Sequence, residues 1–240
     1  MMQALIFDCD GVLVDTERDG HRVAFNRAFT ELGIDAGWSV ELYADLLTTA
    51  GGKERMIRYF DKAGWPASVK DRDAAIRQLH KRKTEIFMEL IEAGGLPLRA
   101  GVARLMDEAV AADIRLAVCS TSNERAVTTL VKIMLGQKRA ERITIFAGDI
   151  VAAKKPDPAI YNLAAKTLAL DPRRSVVVED SHIGLTAAKR AGMNCLVTKS
   201  SYTADEDFRS ADIVVPDLDI GIGLAQCRAL VERRLAADET

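Results

Sequence analysis

Two aspartates, Asp8 and Asp10, stand two residues apart at the end of the apolar run Ala4-Leu5-Ile6-Phe7, with Gly11 directly after them. An unbroken apolar run that ends in charge reads as a strand buried on both faces. In open α/β sheets ligands bind beyond the carboxyl ends of such strands. Taken alone, the stretch is equally readable as a polar turn, because Asp and Gly are ordinary turn residues. Three further polar groups also follow apolar runs: Ser120-Thr121-Ser122-Asn123, Lys154-Lys155-Pro156-Asp157-Pro158 and Glu179-Asp180. Each has a bland counterpart, namely a helix cap, a solvated charge pair and a turn. If a parallel sheet brings them to one edge, that edge holds carboxylates, hydroxyls with helix N-terminal amides, and a lysine. Such a set suits phosphoryl transfer. Asp8 and Asp180, with Glu179 a further candidate, offer oxygen ligands to Mg²⁺, a hard cation. An Asp ionised at pH 7 can attack phosphorus to form an acyl phosphate. The Ser120 hydroxyl and nearby amides, Thr121 and Ser122 among them, can bind phosphate oxygens, and Lys155 can neutralise their charge. Asp10 can protonate the leaving oxygen and then deprotonate water, a role that needs a raised pKa.

The elements that would position these groups alternate. Strands are expected over residues 3–7, 114–119, 143–146, 175–178, 194–197 and 213–215. Helices are expected over 102–112, 124–135 (capped by Ser122 or Asn123), 159–168, 183–191 and 220–237. Between about residues 17 and 96 the pattern is helical only, with segments near 23–32, 40–47, 53–63 and 71–93 that end at Gly33, Gly64-Trp65-Pro66 and Gly94-Gly95. The predicted fold class is α/β: a Rossmann-like parallel-sheet core, residues 1–16 and 97–240, with an inserted all-helical cap domain, 17–96, over the sheet's carboxyl edge.

Composition narrows the function classes. The 240 residues are 48% hydrophobic and 28% charged with a net charge of −2, which argues against a general nucleic-acid or membrane binder. No apolar run approaches the ~20 residues of a membrane span. Cys9, Cys119, Cys195 and Cys227 show no metal-ligand spacing and suit buried thiols in a reducing compartment. The start, Met1-Met2-Gln3, enters the first strand at once, so a cytoplasmic location is expected, or the plastid stroma for a processed chain. A monomer acting on a small molecule is the simplest expectation.

Asp-Cys-Asp-Gly-Val-Leu-Val-Asp (8–15), Cys-Ser-Thr-Ser-Asn (119–123), Lys-Lys-Pro-Asp-Pro (154–158) and Val-Val-Glu-Asp-Ser (177–181) resemble, in order, the four motifs of the haloacid-dehalogenase-like hydrolases. The resemblance implies that Asp8 is the nucleophile and Asp10 the acid/base. It implies Mg²⁺ held by the Asp8 side chain, the Asp10 backbone carbonyl and Asp180, with Glu179 bound directly or through water. It also implies that Ser120 and Lys155 hold the transferring phosphate. The stretches 47–55, 79–84 and 200–208 are similar to CbbY-type sugar phosphatases, most closely to the plant-type members. That resemblance implies hydrolysis of xylulose-1,5-bisphosphate, a Rubisco inhibitor, to xylulose 5-phosphate. Arg18-Asp19-Gly20 before His21 follows the plant-type form and leaves the role of His21 open.

A bisphosphate needs a second anion site. Gly51-Gly52 opening a helix beside Lys53 and Arg55 provides free amides and two cations; the alternative is a flexible turn before a basic helix. His80 and Lys83 share a helix face that reads more readily as solvated surface than as a ligand site. Glu17 can accept hydrogen bonds from sugar hydroxyls, or is simply a favourable first-turn acid. His182 is expected at the surface, Trp38 and Trp65 in cap packing, and Cys9 in strand packing. Two other functions fit the motifs: a β-phosphoglucomutase-like phosphomutase or related sugar-phosphate phosphatase, and a non-enzymatic sugar-phosphate-binding regulator.

Overall fold

The computed structural model describes residues 1–49 and 51–238, so Ala50 of the 47–55 stretch lies outside the described residues. Six strands, β1 (Ala4–Phe7), β2 (Arg115–Ser120), β3 (Ile143–Ala147), β4 (Ser175–Glu179), β5 (Asn194–Thr198) and β6 (Ile213–Val215), form one sheet in the order β3-β2-β1-β4-β5-β6. Every pairing is parallel. β1, β4 and β5 are buried at every position, which explains the apolar runs at their centres. The chain winds outward from β1 through β2 to β3, then returns to the other side of β1 as β4. The switch point of this doubly wound sheet therefore lies between β1 and β4, where ligands of such sheets bind.

The chain forms two compact units: Met1–Asp15 together with the chain from Pro97 onward, and Thr16–Leu96. Thr16 groups with the second unit, one residue earlier than the sequence boundary. The first unit carries the sheet with α5 (Val102–Ala111), α6 (Glu124–Leu135), α7 (Gln137–Ala140), α8 (Ala159–Thr167), α9 (His182–Arg190) and α10 (Leu224–Asp238). The second contains a π-helical turn, Thr16–His21, and α1 (Arg22–Glu31), α2 (Val40–Leu47), α3 (Gly52–Ala63) and α4 (Arg72–Glu92). Its interior is aromatic: Trp38, 1% exposed, stands 4.6 Å from the Phe25 ring, 5.1 Å from Phe29 and 5.7 Å from Tyr43. Trp65 packs on Phe60 at 5.1 Å. Both tryptophans are thus packing residues, and Cys9 is buried as expected.

Four details differ from the sequence reading. The π-helical turn replaces the first turn expected of an α-helix; there Gly20 lies so close to the Phe87 ring that a Cβ would sit 2.7 Å from it. α7 and a 3-10 turn, Pro172–Arg174, are too short to leave a periodic pattern. α10 begins at Leu224 rather than 220, because Gly221 takes φ +68° and the chain is still turning there. β2 and β4 run one residue further than expected, so Ser120 and Glu179 are the last residues of strands and not loop residues.

One side chain ties the sheet's carboxyl edge together. Arg99, just past the return from the helical unit, donates to the carbonyls of Gly11, Thr198 (3.2 Å), Lys199 (2.6 Å) and Pro216 (3.3 Å), while its amide donates to Leu13 O at 2.8 Å. It thereby joins the loop after β1 to the ends of β5 and β6. Lysine has the charge but not the planar fork needed to reach several carbonyls at once. Arg99→Lys is expected to lower stability by about 1–3 kcal/mol in urea unfolding, with an unchanged m value.

Candidate active site

The register of the sheet sets the site. Phe7 of β1 pairs with Val118 on one side and Val178 on the other, so the next residues on the three strands emerge together. Asp8 continues the ladder by donating its amide to Val178 O at 2.9 Å, and then the chain turns. Gly11 takes φ +84°, and a Cβ there would sit 2.0 Å from an Asp180 oxygen, so only glycine lets this loop lie against Asp180. Gly184, in the first turn of α9, plays the same part for Glu179: its missing Cβ would fall 2.0 Å from both carboxylate oxygens.

Asp8, Glu179 and Asp180 are all buried, and each offers an oxygen within 4.8 Å of the others. Lys155 comes from the segment before α8 and places its ammonium among them. Its Nζ donates to Asp8 Oδ1 at 2.5 Å, Glu179 Oε1 at 2.6 Å and the Cys119 carbonyl at 3.1 Å, which uses all three of its protons. The two neighbouring lysines part company here. The Lys155 side chain is 6% exposed, whereas Lys154 is exposed and pairs with Asp149 at 3.2 Å. Glu179 also accepts from the Tyr161 hydroxyl at 2.6 Å, from the Asp180 amide at 3.1 Å and from Ser181 Oγ at 3.3 Å.

Burial dominates the electrostatics. It raises the Asp8 carboxyl to about 7 against the pull of Lys155, with Glu179 and Asp10 adding to the rise. Burial, followed by the charges of Glu179 and Asp8, holds Asp180 well above its usual range. Lys155 is raised as well, although burial pulls it down, because its two carboxylate neighbours outweigh that burial and keep the ammonium charged. Burial next to Glu179 keeps the Tyr161 hydroxyl protonated. Three buried carboxylates with one ammonium leave an excess of negative charge, and every donor is an oxygen. The residues therefore fit a hard divalent cation such as Mg²⁺.

Asp10 has different company. It is half-buried, and its Oδ2 accepts from Ser122 Oγ at 2.5 Å and more weakly from Ser120 Oγ at 3.3 Å. Ser120 Oγ in turn accepts the Ser122 amide at 3.1 Å. Thr121 lies half-buried between the two serines. Asn123, not Ser122, caps α6, which leaves Ser122 for Asp10. Asp8, Lys155, Glu179 and Asp180 thus form one bonded group and Asp10, Ser120 and Ser122 another, and the Asp10 charge acts on Asp8. Sequence reading missed Tyr161, Gly184 and Arg99, and took Gly11 only as a turn residue. The available signal for Tyr161 was a tyrosine on the buried face of a short helix, where the hydroxyl must find a partner. His182 is at the surface as expected; its Nδ1 lies 2.7 Å from Asp207 O.

The helical unit holds two polar clusters of its own. In one, Arg55 is 8% exposed and donates from Nη1 to Tyr43 OH at 2.7 Å, and Tyr43 OH donates to Glu17 Oε2 at 2.6 Å. Arg55 lies over the Tyr43 ring at 5.1 Å, and its Nε is buried with no hydrogen-bond partner among the described residues. In the other, Lys83 is buried rather than solvated. Its Nζ lies 3.0 Å from His21 Nδ1 and over the rings of Phe25 and Phe87. His80 is half-buried, and a Cβ on Gly52 would stand 3.2 Å from its ring. Burial, then the charges of Lys83 and Lys53, lowers the His80 pKa. Lys53 is exposed, so it and Arg55 face different surroundings although only one residue separates them. At Gly51 a Cβ would meet a Glu54 oxygen at 2.1 Å, so an acid sits at the start of α3.

The family model for haloacid dehalogenase-like hydrolases matches residues 2–192. A CBBY-like protein of Arabidopsis thaliana is 61% identical over 215 residues, 88% of this chain and 67% of that protein. Protein CbbY of Cereibacter sphaeroides is 44% identical over 214 residues, 88% of this chain and 90% of that protein. Among solved structures, a variant CbbY of Rhodobacter sphaeroides in complex with xylulose-(1,5)bisphosphate is 43% identical with a TM-score of 0.76, covering 94% of this chain and 98% of that one. With the motifs, the sheet order and the buried carboxylate cluster in agreement, this chain is a hydrolase that belongs to the haloacid dehalogenase-like family, among its CbbY-like members.

Proposed function

We propose that this protein is a Mg²⁺-dependent phosphatase that hydrolyses xylulose-1,5-bisphosphate to xylulose 5-phosphate and phosphate, and so removes a Rubisco inhibitor. The observation that carries the chemistry is Lys155 Nζ, 2.5 Å from Asp8 in a buried cluster of carboxylates. It joins a hydrogen-bond donor for phosphate oxygens to a nucleophile. Asp8 attacks phosphorus, the bond to the sugar oxygen breaks, and Asp10 gives that oxygen a proton. Asp10 then takes a proton from water; the water oxygen attacks phosphorus, the Asp8–phosphorus bond breaks, and phosphate leaves. Lys155, Ser120 and the amides of Thr121 and Ser122 hold the phosphate oxygens. Mg²⁺ would be held by Asp8, the Asp10 backbone carbonyl, Asp180 and Glu179, and it would supply the positive charge that keeps Asp8 ionised beside an anionic substrate.

The substrate reading rests on the helical unit and on the likeness to CbbY. Arg55, with its unused buried Nε, and Lys53, His80, Lys83 and the Gly51-Gly52 amides are assigned to the non-reacting phosphate, and Glu17 to sugar hydroxyls. Tyr43 holds Glu17 and Arg55 in register. Asp10 gives the reading its hydrolytic sense. A half-buried carboxylate held by serines is available both to a leaving oxygen and to water, whereas a purely binding protein has no need of it. The expected setting is the cytosol, or the plastid stroma.

The purified protein is expected to release one phosphate per xylulose-1,5-bisphosphate in the presence of Mg²⁺, and Asp8→Asn to abolish release. Equal turnover of many sugar monophosphates would overturn the substrate assignment, and conversion of glucose 1-phosphate to glucose 6-phosphate would point to a mutase. Arg55→Ala should raise KM about tenfold with kcat nearly unchanged, since Arg55 is assigned to the non-reacting phosphate and not to the reacting group.

The raised Asp8 carboxyl makes stability depend on pH in a defined sense. Between the usual value of 3.8 and about 7 the folded protein retains a proton that the unfolded chain has released. Stability of the metal-free protein therefore falls as pH rises through this window, and Asp180 adds to the trend. Mg²⁺ binds the ionised cluster and opposes the loss. In thermal scans with and without chelator, the rise in Tm on adding Mg²⁺ should be larger at about pH 8 than at about pH 5.

A further inference from the structure

Lys155 stands between two carboxylates, and its usefulness depends on how it divides itself between them. Asp8 is the group that reacts. Glu179, 0% exposed, cannot move away, because α9 lies against it at Gly184 with no room for even a methyl group. An ammonium 2.6 Å from an immobile buried carboxylate would be drawn fully to that side unless something else occupied the same oxygen. The structure shows what does. Tyr161, itself 0% exposed on α8, donates its hydroxyl to Glu179 Oε1 at 2.6 Å, the same oxygen that Lys155 contacts. The Tyr161 ring also lies 5.0 Å from Lys155 Nζ and holds the ammonium against its face. Hydroxyl and ring act on one lysine from two directions.

We propose that Tyr161 is a positioning residue for Lys155: by sharing the Glu179 oxygen it keeps the ammonium turned toward Asp8 and toward a phosphate bound there. This rests on the reading that the core binds phosphate, and it adds a residue that touches neither metal nor substrate. A hydrogen bond to a buried charged group is strong, and no water can replace its donor at a fully enclosed oxygen. Without the hydroxyl, Lys155 is left to satisfy Glu179 Oε1, and the phosphate loses part of its counter-charge.

The test is the binding of inorganic phosphate, measured by calorimetry in saturating Mg²⁺, on wild type, Tyr161→Phe, Lys155→Ala and the double variant. Phenylalanine keeps the ring and nearly the same volume, so the fold is expected to persist with little change in Tm. Tyr161→Phe should weaken phosphate binding about tenfold. On the Lys155→Ala background it should have no further effect, since the hydroxyl acts through the lysine. Tyr161→Met, which removes the ring as well, should lose at least as much. A phosphate affinity within about twofold of wild type for Tyr161→Phe overturns the proposal, and so does an equal loss on both backgrounds. A wild-type protein that binds phosphate but does not turn over xylulose-1,5-bisphosphate overturns the substrate assignment and leaves the Tyr161 comparison intact.

Discussion

The constraint on which the rest of the core depends is the burial of three carboxylates around one ammonium. Asp8, Glu179 and Asp180 lie at the ends of adjacent strands, largely out of water, with Lys155 as the cation in contact with two of them. Buried charge of this kind is costly unless it is paired and hydrogen-bonded throughout. The neighbouring structure meets most of that condition. Glu179 accepts four hydrogen bonds, Lys155 donates three, and glycine occurs at the two positions, 11 and 184, where a side chain would collide with a carboxylate. The remaining negative charge is what makes the cluster receptive to a divalent cation. The cluster is therefore poorly balanced as a purely structural feature and well suited to binding and chemistry.

The sequence made the frame of this site legible because strand-end chemistry in a parallel sheet depends on order, and order is visible. Four apolar runs, each followed by polar residues, predicted that Asp8, Ser120, Lys155 and Glu179-Asp180 would meet, and the register of β1 between β2 and β4 brings them together. What stayed hidden was direction. Lys154 and Lys155 are identical in type and adjacent, yet one is exposed and the other buried among carboxylates. Lys83 read more readily as solvated surface than as a ligand, yet it is buried against two aromatic rings and a histidine. Such choices are made by packing between segments far apart in the chain. Tyr161 and Glu179 are a case in point: 18 residues apart, they make a contact that no local pattern encodes.

The helical unit follows a different logic. Its aromatic interior around Trp38 gives it a core of its own, and its polar groups are held by one another as well as by the backbone. Glu17, Tyr43 and Arg55 form a chain in which the tyrosine hydroxyl relays between acid and base, so a group from the π-helical turn, one from α2 and one from α3 share one geometry. Among the described residues the buried Nε of Arg55 has no hydrogen-bond partner, which is compatible with the proposed phosphate contact.

Asp8 and Asp10 are the same residue type two positions apart, and a regular strand would give them equivalent surroundings on one face. They differ because the strand ends at Phe7 and the loop doubles back, with Gly11 at φ +84° and its amide bonded to Val14 O at 2.8 Å. That turn leaves Asp8 against Lys155 in the interior and delivers Asp10 to the hydroxyls of Ser120 and Ser122 nearer to solvent. One carboxylate is thereby tied to a cation and the other to neutral donors. Only the second can exchange a proton with a leaving oxygen or a water without first breaking an ion pair. In the proposed mechanism, two environments for two identical side chains divide nucleophile from acid/base, and the division originates in a single glycine turn.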